Sequence, residues 1–237
     1  MVQRLVAVED LTPVKDDWLK VEWNIGRRCN FDCSYCDIGT HDNKSKHAPI
    51  ETFEKAFKTL LESTTKKVKI SWTGGEPFVH PKFVNIIERG HDMGIWRQTV
   101  VTNGSLPTEK YIRATKTLHQ ITFSYHFEHT VHDKIVNNIL AVNNAYKDKD
   151  KGQTRVHMMM LPGHFDKAKE ILDILRKENI EVVMRRIRPQ VGKDLKIIPP
   201  WNSGMNGHTS YSVVKHQTGN QPYYSSDEIK FLEGSAS

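Results

Sequence analysis

The chain has only three cysteines in 237 residues, and nowhere the roughly 18 uninterrupted apolar residues that a membrane span requires. Its first residues, Met-Val-Gln-Arg-Leu-Val-Ala-Val-Glu-Asp, lack the apolar centre of a secretory signal. No membrane partner is therefore expected, and the expected compartment is the cytoplasm, where thiols stay reduced. Three is also the wrong number for a disulfide framework, because one bridge would leave a thiol over and would staple only neighbours along the chain. Neither sign of charge dominates strongly: 34 Lys and Arg stand against 28 Asp and Glu, a net charge of +6. The basic residues are scattered opposite apolar faces of apparent helices, which reads as solvated surface. No aromatic-plus-basic RNA motif is visible, so nucleic acid is not an expected partner. The 38% of hydrophobic residues suffices for one core at this length.

What cysteine there is lies in one short stretch, Cys29-Asn-Phe-Asp-Cys33-Ser-Tyr-Cys36. Thiolates this close can share one inorganic centre. A structural zinc ion wants four closed ligands, so these three would have to recruit a residue such as His41 or His47. An iron–sulfur cubane is the other reading; held by three thiolates, it keeps one iron open to a further ligand. An open iron is a catalytic iron, not merely an electron relay.

The C-x3-C-x2-C spacing, with the aromatic Tyr35 just before Cys36, resembles the radical S-adenosylmethionine (radical SAM) superfamily. A second segment of that family has its counterpart in Thr73-Gly74-Gly75-Glu76-Pro77, directly after the apolar run Val68-Lys-Ile-Ser-Trp72. There it holds the methionine amino group of SAM. Glycines let a backbone come close to a ligand, and a carbonyl or carboxylate can accept from an ammonium. Taken alone, the segment reads equally as a strand-to-helix turn; the order of cysteine loop, helix, strand and Gly-Gly-Glu-Pro makes the pair specific.

The resemblance implies a [4Fe–4S] cluster on Cys29, Cys33 and Cys36, with SAM bound through its amino and carboxylate groups at the fourth iron. One electron, from a donor such as flavodoxin or ferredoxin, then cleaves the sulfonium C–S bond. Methionine leaves, and a 5′-deoxyadenosyl radical abstracts hydrogen from substrate. The general pattern is nearest the peptide-modifying branch, so a peptide or protein side chain is the expected substrate. A small metabolite or nucleotide is the alternative. A zinc-bearing nucleic-acid-binding module is the rival from another class.

Strand and helix signals alternate along the chain. Period-two runs mark strands at 19–23, 68–72, 98–102, 120–125, 155–161 and 181–188. Helical stripes lie between them: Phe53, Phe57, Leu60 and Leu61; Phe83, Ile86 and Ile87 after Pro81; Tyr111, Ala114 and Leu118; Ile135, Ile139 and Val142; Ala168, Ile171, Leu172 and Leu175. Such alternation predicts an α/β fold with a parallel sheet. Periodicity does not separate an open sheet from a barrel; the family resemblance implies a partial (β/α)6 barrel. In either case the site belongs at the strands' C-terminal ends. Residues 1–190 are expected to form this domain. Residues 191–237, broken by Pro199, Pro200, Gly204, Gly207, Gly219 and Pro222 around a β-like run at 211–215, are expected to be an extension packed on it, with a helix starting near Ser225. That extension is either cut inside a longer C-terminal region or belongs to a minimal enzyme with one cluster.

Other polar positions carry weaker expectations. Tyr35 packs near the SAM adenine in the family reading, or anchors its loop in the plain one. Ser124, at the end of the fourth strand, matches a position that contacts the ribose or methionine carboxylate in related enzymes. Asn103 either hydrogen-bonds near the cluster or marks a turn with Gly104. His132-Asp133-Lys134 resembles a segment of the peptide-modifying branch, but Asn137 and Asn138 stand where an arginine is expected. Arg186 and Arg188 share one strand face with Val182 and Met184; if that face is the lumen, they would meet a carboxylate or phosphate, of SAM or of substrate. His126, Glu128, His129 and His132 invite a second metal site, and helix-start surface is the plainer reading. Met158, Met159 and Met160 read as core packing.

Overall fold

The computed structural model describes residues 17–33, 35–36, 41–146, 152–161, 163–187, 227–228 and 230–231. Six strands, β1 (Trp18–Asn24), β2 (Lys67–Thr73), β3 (Arg97–Thr102), β4 (Gln120–His126), β5 (Gln153–Met160) and β6 (Glu181–Arg186), alternate with five helices. These are α1 (Ile50–Glu62), α2 (Phe83–Met93), α3 (Thr108–Ala114), α4 (His132–Ala145) and α5 (Phe165–Lys177). All neighbouring strands are parallel, and their order in the sheet is their order in the chain. With right-handed crossovers, a sheet that only ever grows in one direction puts every helix on one face. That order separates a barrel-type sheet from a doubly wound one, whose strand order reverses midway. β1 and β6 are the two edges, so the barrel is partial.

The covered face is apolar because alternate strand residues point at the helices. Trp72 of β2 is fully buried, with Phe53 and Phe57 of α1 and Phe83 of α2 around its ring. Phe78, Tyr111 and Phe123 continue the same edge-on aromatic packing toward β4. The opposite row, facing the lumen, is mostly polar: Lys20, Glu22, Lys69, Ser71, Thr99, Thr122, Ser124, Arg155 and His157 occupy it by register, with Val101, Met159 and Val183 as apolar members.

Several expected boundaries move. Pro81 does not open a helix: a 3₁₀ turn at Pro77–Val79 intervenes, with Pro77 in its first turn and Glu76 as its cap, and α2 begins at Phe83. α3 stops at Ala114, where the Thr115 hydroxyl donates to the carbonyl of Ile112, so buried Leu118 lies in the turn beyond it. β6 ends at Arg186, and Arg188, the charged run 147–151 and the β-like run 211–215 lie outside the described residues. Of the extension, the helical residues Asp227, Glu228, Lys230 and Phe231 are described. Glu228 accepts from the amide of Gly163 (2.7 Å), and Phe231 packs edge-on against Phe165 (5.6 Å) at the start of α5. Among the described residues no helix is long and apolar enough to cross a membrane.

Candidate active site

β1 and β2 lie in register, Asn24 beside Thr73, so the loops leaving their C-terminal ends run side by side. Three main-chain hydrogen bonds join them: Ile25 N–H to Thr73 O (2.9 Å), Gly75 N–H to Gly26 O (2.8 Å) and Glu76 N–H to Arg28 O (2.8 Å). The two glycines exist for this contact. Gly74 has φ +135°, and a Cβ on it would stand 2.6 Å from the carbonyl oxygen of Gly26; a Cβ on Gly75 would stand 2.3 Å from that of Arg28.

The far end of the cysteine loop is closed by Asp42. Its main chain bridges to Arg28, accepting from Cys29 N–H and donating to Arg27 O, both at 2.7 Å. Its carboxylate accepts from the Ser45 hydroxyl, the amides of Ser45 and Lys44, and the Arg27 guanidinium. Those donors, Ser45 foremost, hold its carboxyl well below the usual carboxylate range. A third tether reaches β3: Asn103 donates to Asn30 (3.0 Å), Asn30 donates to the Ser105 hydroxyl (2.8 Å), and that hydroxyl donates back to Asn103 (2.6 Å).

Glu76 is 2% exposed. Its Oε1 accepts from Phe78 N–H (2.9 Å) and the Thr102 hydroxyl (2.7 Å), and its Oε2 from Asn103 N–H (2.6 Å). Burial raises its carboxyl to about 7, against the pull of these three donors toward the charged form. Glu76 therefore braces the ends of β2 and β3 instead of presenting a free carboxylate, and the acceptors left on this loop are main-chain carbonyls.

Tyr35 is anchored. Its hydroxyl lies 2.6 Å from Nδ1 of His126, and the two rings stack at 5.9 Å. His126 ends β4 and also stands 3.6 Å from Cys33 Sγ; burial, then His129, takes it down to about 4. Phe31 packs on His126 and His129, so the segment after β4 lies across the cysteine loop. The histidine-rich metal site is not formed as a set. Among the described residues the group that converges is Cys33, Glu128 and His129, within 4.8 Å, and it draws on a cysteine of the loop. Ser124 is half-buried on the lumen row beside His157. Asn138 serves the turn after β3: buried on α4, it donates to the carbonyls of Gly104 (2.8 Å) and Leu106 (3.0 Å) and accepts from Thr108.

Register corrects the expectation for β6. Val182 and Met184 pair with Val156 and Met158 on the row covered by helices and pack half-buried against the core, and Arg186 follows them in the ladder beside Met160. The lumen row carries Arg185, beside Met159. Of the three methionines, Met158 and Met160 are core and Met159 is not.

The family model described as the radical SAM superfamily matches residues 23–187, from the end of β1 to the end of β6. The chain belongs to the radical SAM superfamily. Among curated proteins it is 27% identical to an S-adenosylmethionine-dependent nucleotide dehydratase, RSAD2, of Oncorhynchus mykiss, over 76% of this chain and 45% of that protein. It is 35% identical to a probable GTP 3′,8-cyclase of Methanococcus maripaludis over 39% of this chain and 30% of that one. The chain thus spans less than half the length of these relatives. Of solved structures, anSMEcpe with bound AdoMet superposes with a TM-score of 0.57 at 13% identity, over 74% of this chain and 54% of its own. Streptococcus suis SuiB bound to S-adenosylmethionine gives 0.53 at 15%, over 75% and 40%. At such identities the likeness concerns the fold, a radical SAM barrel.

Radical SAM enzymes use a [4Fe–4S] cluster and SAM, and the donor set fits that cluster. All three cysteines are free thiols, Cys33 buried and the others partly so. Cys29 Sγ already accepts the amide of Phe31 at 3.4 Å, the kind of hydrogen bond that tunes cluster sulfurs. Burial raises the Cys29 thiol and takes Cys33 up to about 12, so thiolates here need cations, which iron would supply. His41, the candidate fourth zinc ligand, bonds Asp32 at 2.9 Å, and His47 packs against His80.

Proposed function

We propose that Cys29, Cys33 and Cys36 hold the cluster, and that the enzyme acts on a phosphorylated nucleoside. The observation that carries the first half is the main-chain weld between the cysteine loop and Gly74-Gly75-Glu76. It fixes the two loops that the family uses for cluster and SAM against each other at one end of the sheet. When bound, the cluster and SAM supply a 5′-deoxyadenosyl radical for hydrogen abstraction. The chain's own residues orient and enclose that chemistry. Asp42 and Asn103 close the loop, Tyr35 and His126 cover its buried side, and the carbonyls of the Gly74–Gly75 turn are available to an ammonium. Tyr35 and Ser124, the latter on the lumen row, are read as contacts to SAM.

For the substrate, two kinds of relative act on nucleotides by name, and the lumen row is mostly polar and rich in cations. Both favour the nucleotide over a peptide side chain. A flavodoxin or ferredoxin is the proposed reductant. Residues 1–190 are read as the catalytic barrel and 191–237 as its extension, supported by the contacts of Glu228 and Phe231 with the turn before α5.

The test is anaerobic reconstitution, then incubation with SAM, dithionite and each of the four ribonucleoside triphosphates, with 5′-deoxyadenosine and nucleotide masses followed by mass spectrometry. Nucleotide-stimulated 5′-deoxyadenosine, carrying deuterium from a deuterated nucleotide, is the expected result. Full SAM cleavage after Cys33→Ala overturns the cluster assignment; deuterium transfer from a peptide instead overturns the substrate.

A further inference from the structure

Among the described residues β5 carries three buried polar atoms without a partner, Thr154 Oγ1 on the helix-covered row and two on the opposite row. Arg155 is held at one end by Glu181 (Nη2 to Oε2, 2.7 Å), but its Nε is buried without a partner, as is Nε2 of His157. A buried donor left unpaired forfeits its hydration without replacement, so two in succession on one strand face call for an occupant. Residues two apart on a strand share a face, and register sets that face on the lumen row: Arg155 beside Thr122 of β4, His157 beside Ser124. On the other side β6 brings Arg185 to the same row, level with Met159. Arg185 and Arg155 both act on His157, adding to burial in pressing its imidazole down to about 4, so it stands neutral at physiological pH, able to donate one N–H. Among the described residues of β5 and β6, Glu181 is the one carboxylate on this row, and it is already paired.

We infer that the lumen face of β5 and β6 is the subsite for the substrate's phosphate group, with Arg155 Nε–H, His157 Nε2–H and the Arg185 guanidinium as its donors. This rests on the nucleotide reading and gives it residues. Two guanidiniums flanking an imidazole N–H along one row suit a tetrahedral oxyanion or a chain of them, which offers acceptors in several directions, better than a planar carboxylate. Ser124 is level with His157 on β4, and His126 stands two residues further along, toward the cysteine loop. A phosphate seated at this depth leaves the nucleoside directed to the end of the sheet where the radical forms.

The experiment measures equilibrium binding of inorganic tripolyphosphate and of GTP, CTP, ATP and UTP to the reconstituted holoenzyme by anaerobic calorimetry at two salt concentrations. His157→Leu, Arg185→Gln and the milder His157→Gln and Arg185→Lys are compared, with iron content and far-UV circular dichroism establishing that each is folded. Tripolyphosphate and at least one nucleotide should bind the unsubstituted enzyme, more weakly at high salt. Each removal of a donor should weaken both probes at least tenfold, with Arg185→Lys recovering part of that loss. Equal binding by all variants overturns the subsite while the nucleotide reading stands. No binding of any phosphorylated probe, with 5′-deoxyadenosine still formed from SAM, overturns subsite and nucleotide together. Competition by citrate as strong as by tripolyphosphate reassigns the site to carboxylates and overturns the inference.

Discussion

Gly75 meets Arg28 so closely that a Cβ on the glycine would stand 2.3 Å from the arginine's carbonyl oxygen. The neighbour is main chain on a loop that is itself hydrogen-bonded to Glu76, so it has little room to yield. Gly75→Ala should cost about 1–3 kcal/mol as overpacking, lowering Tm by about 2–4 °C per kcal/mol in a domain of this size. Because the displaced atoms belong to the cysteine loop, iron per chain after reconstitution should fall as well. A variant with unchanged melting and iron content would show that the weld is dispensable.

Asp42 closes the cysteine loop from its far end, through main chain and carboxylate together. Asp42→Ala keeps the former and removes the latter. Its global effect should be small and its local effect large: cluster iron lost on gel filtration should rise well above that of the parent while Tm moves little. Equal retention of iron would refute the role of the carboxylate.

Asn138 should prove costly to replace although it touches no part of the cysteine loop. Asn138→Leu leaves the carbonyls of Gly104 and Leu106 without their donor, which predicts about 2–4 kcal/mol of destabilisation in urea titrations. A loss under about 1 kcal/mol would mean that water replaces the amide.

His80 gives stability a pH dependence of known sign. It is 4% exposed, its Nε2 donates to Ala48 O (3.0 Å), and its Nδ1 accepts from Lys82 N–H (3.1 Å), so protonating Nδ1 breaks a bond. Burial lowers its pKa from the ordinary 6.5. The native state therefore keeps it neutral while the unfolded chain takes up a proton, and its contribution is complete above about pH 6.5 and lost as pH falls toward the native value. Urea midpoints should decline from about pH 7 to about pH 5, and less steeply in His80→Gln. Identical slopes would place the protonation elsewhere.

The cysteine loop was legible because ligand spacing in a short segment is written along the chain itself, and the alternation of elements because each strand and helix shows its own period. The purpose of Gly74 and Gly75 was not. A sequence marks where a Cβ is absent but not what fills the space, which here is the backbone of the cysteine loop. Asp42 and Asn30 left no signal, and His126 read as a metal candidate and not as the partner of Tyr35, since their partners lie in other loops or at the end of another strand and no periodicity connects them. Arg186 and Arg185 differ by one position, and with a side-chain period of two one position decides the face. The apolar neighbours Val182 and Met184 could have assigned that face to the core, had the polar character of the lumen been known.

The bonds that join Ile25 to Thr73, Gly26 to Gly75 and Arg28 to Glu76 are all drawn from main-chain atoms. A stitch of that kind is indifferent to what Ile25 and Arg28 carry as side chains, and it asks only that two positions opposite them stay bare. Selection can therefore rewrite the residues around the stitch to suit a new guest without loosening it. The part of the molecule that must never vary is held by the part of its chemistry that every residue shares.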